Sequence, residues 1–130
     1  MDVASGQVLG ADAPRNDSFH FVAFLEEIDA AVPAHLAIHL VMDNGSSHVS
    51  KATKAWLADH PRFVAHYTPT PRLLAQPELF FSILTRRLLK RGEFASRADL
   101  VDRIMRFIAD YDTTAAPFKW TYDGRPVKAA

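Results

Sequence analysis

The run LAIHLVM, residues 36–42, is continuously apolar except at His39 and stops on the acid Asp43. That is the pattern of a strand covered on both faces, and so of a central strand in an α/β sheet. The segment that follows, DNGSSH at 43–48, is turn chemistry, with Asn and Gly followed by two serines and a histidine. In α/β sheets the carboxyl ends of the strands line the crevice in which ligands bind, which is where Asp43 falls. A plainer reading stays open: Asp43-Asn44-Gly45 is a turn and Ser46 or Ser47 caps the next helix.

The rest of the chain alternates in the same way. The segment DVASGQVLG reads as two short strands around a Ser5-Gly6 turn, with Val3, Val8 and Leu9 apolar. Phe24, Leu25 and Ile28 recur at helical spacing from Phe21 onward, with Asn16, Asp17 and Ser18 as candidate N-caps and Pro33 beyond the end. A short helix is expected over Ser50–Asp59, carrying Ala55, Trp56 and Leu57, and a strand over Phe63–Tyr67. The proline-rich TPTPRLLAQP forbids regular structure and reads as a crossing loop. Pro77 and Glu78 suit a first helical turn, and Phe81, Leu84 and Leu88 continue one face up to a stop at Gly92. Ser96 and Asp99 open a last helix in the manner of a capping box, with Leu100, Ile104, Phe107, Ile108 and Tyr111 apolar. The tail PFKWTYDGRPVKAA is expected to be an irregular strap.

Length and charge narrow the classes. A chain of 130 residues supports one domain with a real core. Fifteen Lys and Arg balance fifteen Asp and Glu, so any basic surface must be local. The absence of cysteine excludes a disulfide framework, a thiolate zinc site and a cysteine nucleophile. No apolar run approaches the ~20 residues that span a bilayer, and the N-terminus has no leader pattern, so a soluble cytoplasmic protein without membrane contact is expected. Six histidines are scattered; His35 and His39 make no metal pair, since four strand residues separate them by ~13 Å.

Taken in order, several segments resemble the catalytic domain of mariner-like insertion-sequence transposases, of the DDE superfamily of endonucleases. They are DVASGQV, HLVMDN with His48, KAWLADHPRF, the tripeptide TPT, Glu78 with Phe80 and Phe81, and PFKWTYDGRP. The resemblance implies an RNase H-like α/β fold, a mixed sheet with flanking helices, and makes residues 1–130 part of one catalytic domain. It also implies two divalent ions, Mg2+ or Mn2+, held by three carboxylates that cleave DNA and transfer strands. Asp43 corresponds to the second acid and Glu78 to the third, with Asn44 and His48 beside the second, orienting it or touching DNA. Without the family order, His48 is a polar residue of a helix's first turn and Glu78 a helix-start acid favoured by the macrodipole.

Two departures from the family pattern set further expectations. The strand that carries the first acid precedes the Asp2-Val3 segment in the family, so the chain is expected to be N-terminally truncated, to lack the first strand, and to be inactive alone. Asp2 is not a substitute for that acid. Around Glu78 the stretch PRLLAQPE is one residue shorter than the family pattern, with Ala75 in place of asparagine, Pro77 before the acid and Gln76 retained. Full-length relatives carry helix-turn-helix modules upstream that read the element's ends, so sequence-specific DNA recognition is not expected of these residues. Arg86, Arg87, Lys90 and Arg91 are then either a solvated helix face or a DNA-phosphate patch. DNA is the expected partner, together with a second copy or the missing N-terminal part paired through an exposed sheet edge. The alternative function is a non-enzymatic transposase remnant that binds DNA weakly or pairs with another chain.

Overall fold

In the computed structural model, residues 1–68 and 75–117 are described, with side chains from residue 79 onward in the second stretch. They divide into two compact units, Ala11–Phe94 and Met1–Gly10 with Ala95–Ala130.

The larger unit is built as helix, strand, helix, strand, helix. Helix α1 spans Ser18–Ala31, capped by Asp17, whose carboxylate accepts the His20 N–H at 3.0 Å. Strand β1 covers Ile38–Met42, helix α2 Lys51–Asp59, and strand β2 Phe63–Tyr67. Among the described residues β1 and β2 form a two-stranded parallel sheet, with Ile38 opposite Phe63 and Met42 opposite Tyr67. This is less than the mixed sheet expected. β1 is also covered on one face only: Ile38 and Met42 are buried, whereas Val41 is 56% exposed. The alternation of a strand with period two decides which apolar residues go in, and an unbroken apolar run does not by itself cover both faces.

Arg62 fixes how α1 leads into β1. Pro33 stands where the amide that would pair with the Asp29 carbonyl should be, and proline has none to give, so that carbonyl is orphaned. The Arg62 guanidinium satisfies it: Nη2 donates to the Asp29 carbonyl at 2.6 Å and to Val32 O at 3.2 Å, while Nε donates to the Asp29 carboxylate at 2.7 Å. Nη1 reaches Pro33 O at 2.8 Å and Leu36 O at 3.1 Å, and the Arg62 carbonyl accepts the Ile38 N–H at 2.7 Å, beginning the ladder. Trp56 of α2 stacks on His60 at 3.7 Å between ring centroids and meets Phe63 edge-on at 4.8 Å, a packing role that joins α2 to β2. Trp120 lies outside the described residues.

Helix α3, Ala75–Leu84, begins before Pro77 and passes into a π-helical turn over Thr85–Leu89, closed by the Lys90 N–H on Thr85 O at 2.8 Å. Gly92 ends it at a close approach: a Cβ there would lie 2.8 Å from the Leu88 carbonyl oxygen.

In the smaller unit the two N-terminal strands are not formed. Only the turn between them is present: Asp2 accepts from the Ala4 N–H and the Ser5 hydroxyl, Gly6 takes a φ of 79°, and one backbone pair, Asp2 N–H to Gln7 O, closes it. Beyond this turn the next amide, on Val8, donates to the Asp112 carboxylate at 2.8 Å rather than to a neighbouring strand. Helix α4, Arg97–Thr113, is capped by Ser96, which accepts the Asp99 N–H, while Asp99 accepts from Ala95, one residue before the cap.

Candidate metal and nucleic-acid site

Asp43 directly follows β1, at the carboxyl end of a parallel strand. Its Oδ1 accepts the Gly45 N–H at 2.9 Å and stands 2.8 Å from His48 Nδ1. The Gly45 amide, and after it the His48 ring, hold the Asp43 carboxyl below the usual carboxylate range. An ionised carboxylate only accepts, so His48 presents Nδ1–H to it. Among the described residues Oδ2 of Asp43 has no partner, and the side chain is 55% exposed. The group is therefore an ionised oxygen donor, fixed through one oxygen and open at the other.

The turn that builds this arrangement is held from several sides. Gly45 is closely approached without a positive φ: a Cβ there would sit 2.9 Å from Asp43 Oδ1 and 3.3 Å from His48 Nδ1, so a side chain at this position would displace the carboxylate. His48 lies in the turn before α2, not in its first helical turn, and Ser50 is the cap. The His48 ring packs on Phe21 of α1 at 4.5 Å between centroids, and its carbonyl accepts from the Tyr67 hydroxyl at 3.1 Å. Thr53, fully buried, donates its hydroxyl to Ser47 O at 2.6 Å and accepts from Ser50, pinning the same turn to α2. Asn44 ties the two strand ends together by donating to Thr68 O at 3.3 Å, beside the Thr68 N–H bond to Met42 O at 2.9 Å. Asn44 thus clamps the turn, while the contact between His48 and Asp43 is direct. The supporting residues Phe21, Thr53 and Tyr67 carry no sequence signal of their role; their sequence neighbours do not reveal that they meet this turn.

Replacing His48 by alanine is expected to raise the Asp43 pKa toward the ordinary value while leaving it below that value, because the Gly45 amide, the larger cause, remains. A carbon-detected NMR titration of the Asp43 carboxyl reads this. The sign follows from the depressed value: the contact stabilises the fold above the unfolded-state pKa and is lost as pH falls through the folded one.

Glu78 belongs to the first turns of α3, and its side chain lies outside the described residues. Among the described residues no three His, Asp or Glu side chains converge as metal ligands. Arg86, Arg87, Lys90 and Arg91 are all exposed, on or just after the π-helical turn. Arg86 and Lys90 share a shallow groove with Phe81, Ser82 and Thr85, and Arg86 Nε also donates to Ser82 O at 3.3 Å; Arg87 and Arg91 lie outside that groove. No helix among the described residues is long and apolar enough to cross a membrane.

No curated protein and no solved structure matches the chain. A family model, that of the DDE superfamily endonucleases, does, over residues 2–101, a span that includes Asp43, Glu78 and the basic cluster; that family acts on DNA and generally uses divalent metals. The chain belongs to the DDE superfamily endonucleases.

Proposed function

We propose that these 130 residues form part of the catalytic domain of a mariner-like DNA transposase with an RNase H-like fold, and that Asp43 and Glu78 are its second and third metal-binding acids. The observation that carries this reading is Asp43 itself: ionised, held by Gly45 and His48 through one oxygen and open at the other, at the carboxyl end of a parallel strand. A hard, anionic oxygen donor of this kind fits Mg2+ or Mn2+. Such ions, when bound, polarise a phosphodiester and activate the attacking water or hydroxyl. The chain's own residues prepare for them. Gly45 and His48 keep the carboxylate charged and orient it, Asn44 holds the ends of β1 and β2 together, and the buried Thr53 prevents the turn from shifting.

Arg86, Arg87, Lys90 and Arg91 supply cations for DNA phosphates, with affinity that is independent of sequence and falls as salt rises. The open groove shared by Arg86 and Lys90 supports that reading for those two.

By resemblance, Asp43 and Glu78 match two of the family's three acids, and two carboxylates alone hold a two-metal centre poorly. The purified polypeptide with Mg2+ or Mn2+ is therefore expected to leave duplex DNA uncut above background. Nicking that disappears in Asp43→Ala would overturn the inactivity and would mean that another group completes the site.

A further inference from the structure

We infer that His39 and His66 form a second metal site, selective for late first-row ions such as Ni2+, Cu2+ or Zn2+, on the open face of the strand pair. The parallel register places His39 opposite Val64 and His66 opposite Val41, so the two histidines sit diagonally on one face of adjacent strands. Both are exposed, and their rings lie nearly parallel, 14° apart, at 5.3 Å between centroids. His39 Nδ1 faces His66 Nε2 at 3.0 Å. Neither ring has another partner among the described residues.

Two neutral imidazoles bound to one ion at 2.0–2.1 Å place their nitrogens roughly 2.9–3.4 Å apart, for angles between square-planar and tetrahedral. The observed separation falls in that range, so little main-chain movement is needed. Exposed rings can turn about their side-chain bonds until both lone pairs converge on a common point. Where one ring donates to the other, binding requires that bridging proton to move to the outer nitrogen of its own ring, which frees both inner lone pairs without net proton release. Water fills the remaining coordination positions. Imidazole nitrogen suits nickel, copper and zinc, whereas Mg2+ prefers oxygen, so this site and the carboxylate site take different ions. Along β1 four residues separate His39 from Asp43, ~13 Å at strand rise. The bound ion would cross-link β1 to β2 on the face that the fold leaves open.

Titration of the 130-residue chain with Ni2+ alone, followed by calorimetry and by paramagnetic broadening of the histidine ring signals, tests this. The first equivalent of Ni2+ is expected to broaden His39 and His66 first among the six histidines. His39→Gln and His66→Gln are each expected to weaken the first binding event at least tenfold, with circular dichroism unchanged because both side chains are exposed, and the early broadening of His39 and His66 is expected to persist in Asp43→Asn. Equal affinity in either histidine variant, or earlier broadening of His20, His35, His48 or His60, would overturn the assignment. Loss of binding in Asp43→Asn would place the ion at the carboxylate instead.

Discussion

Arg62→Ala is expected to lower the unfolding free energy by about 3 kcal/mol, the largest stability loss predicted here. The guanidinium satisfies four main-chain carbonyls, of Asp29, Val32, Pro33 and Leu36, and the Asp29 carboxylate. The carboxylate pair contributes little of this, being part-exposed and able to turn to water. The main loss is the carbonyls, the Asp29 carbonyl above all, since Pro33 offers it no alternative donor. For a chain of this size the change corresponds to a midpoint drop of about 10 °C in thermal unfolding. Arg62→Lys is expected to recover less than half, because one ammonium cannot reproduce a planar fork aimed at both the end of α1 and the loop before β1. A loss under about 1 kcal/mol in Arg62→Ala would mean that water replaces the fork without penalty.

The second large effect falls on the candidate metal site. Asp43→Asn keeps the size of the side chain and an oxygen for the Gly45 amide, but removes the charge. Mn2+ affinity, measured by electron paramagnetic resonance, is expected to fall roughly thirtyfold, since a divalent ion held by few carboxylates depends on their charge. An unchanged affinity in this variant would remove Asp43 from the site. Gly45→Ala is the complementary change: the new methyl group would press on Asp43 Oδ1 and His48 Nδ1, so it disturbs the site without altering its charge.

How much of this was legible in the sequence depended on whether a feature is local. β2 lies where its residues indicate, over Phe63–Tyr67, and α1 and α4 take their caps from Asp17 and Ser96 among the candidates their sequences offer. Caps and short apolar runs are decided within a few residues. The N-terminal strands are not formed, and what holds that segment is not local: the amide of Val8 is taken by Asp112, 104 residues away. Pro33 was readable as a helix stop, but nothing near it announces that Arg62 would supply the missing donor from 33 residues beyond Asp29. The π-helical turn is likewise invisible in a segment whose apolar spacing reads as ordinary helix.

At the site, the position of Asp43 at the end of a strand was legible, and the reason for its glycine was not. An Asn-Gly pair suggests a left-handed turn, yet Gly45 has no positive φ and is instead the residue on which a carboxylate and an imidazole close. His39 and His66 could not be paired without knowing the register, since 27 residues separate them. The direct contact of His48 with Asp43 is intermediate: both residues were singled out by family order, but their distance depends on how Phe21, Thr53 and Tyr67 hold the turn.

The central claim, that Asp43 and Glu78 hold one cation between them, is tested most directly by Mn2+ titration of four proteins: the native sequence, Asp43→Asn, Glu78→Gln and the double variant. Two carboxylates bridged by metals ~4 Å apart are strongly coupled. The expected result is that each single change removes most of the affinity and that the double variant binds scarcely more weakly than either. Independent sites would give a double variant whose loss is the product of the two single losses. That outcome, or a Glu78→Gln variant that binds Mn2+ as the native chain does, would contradict the shared site.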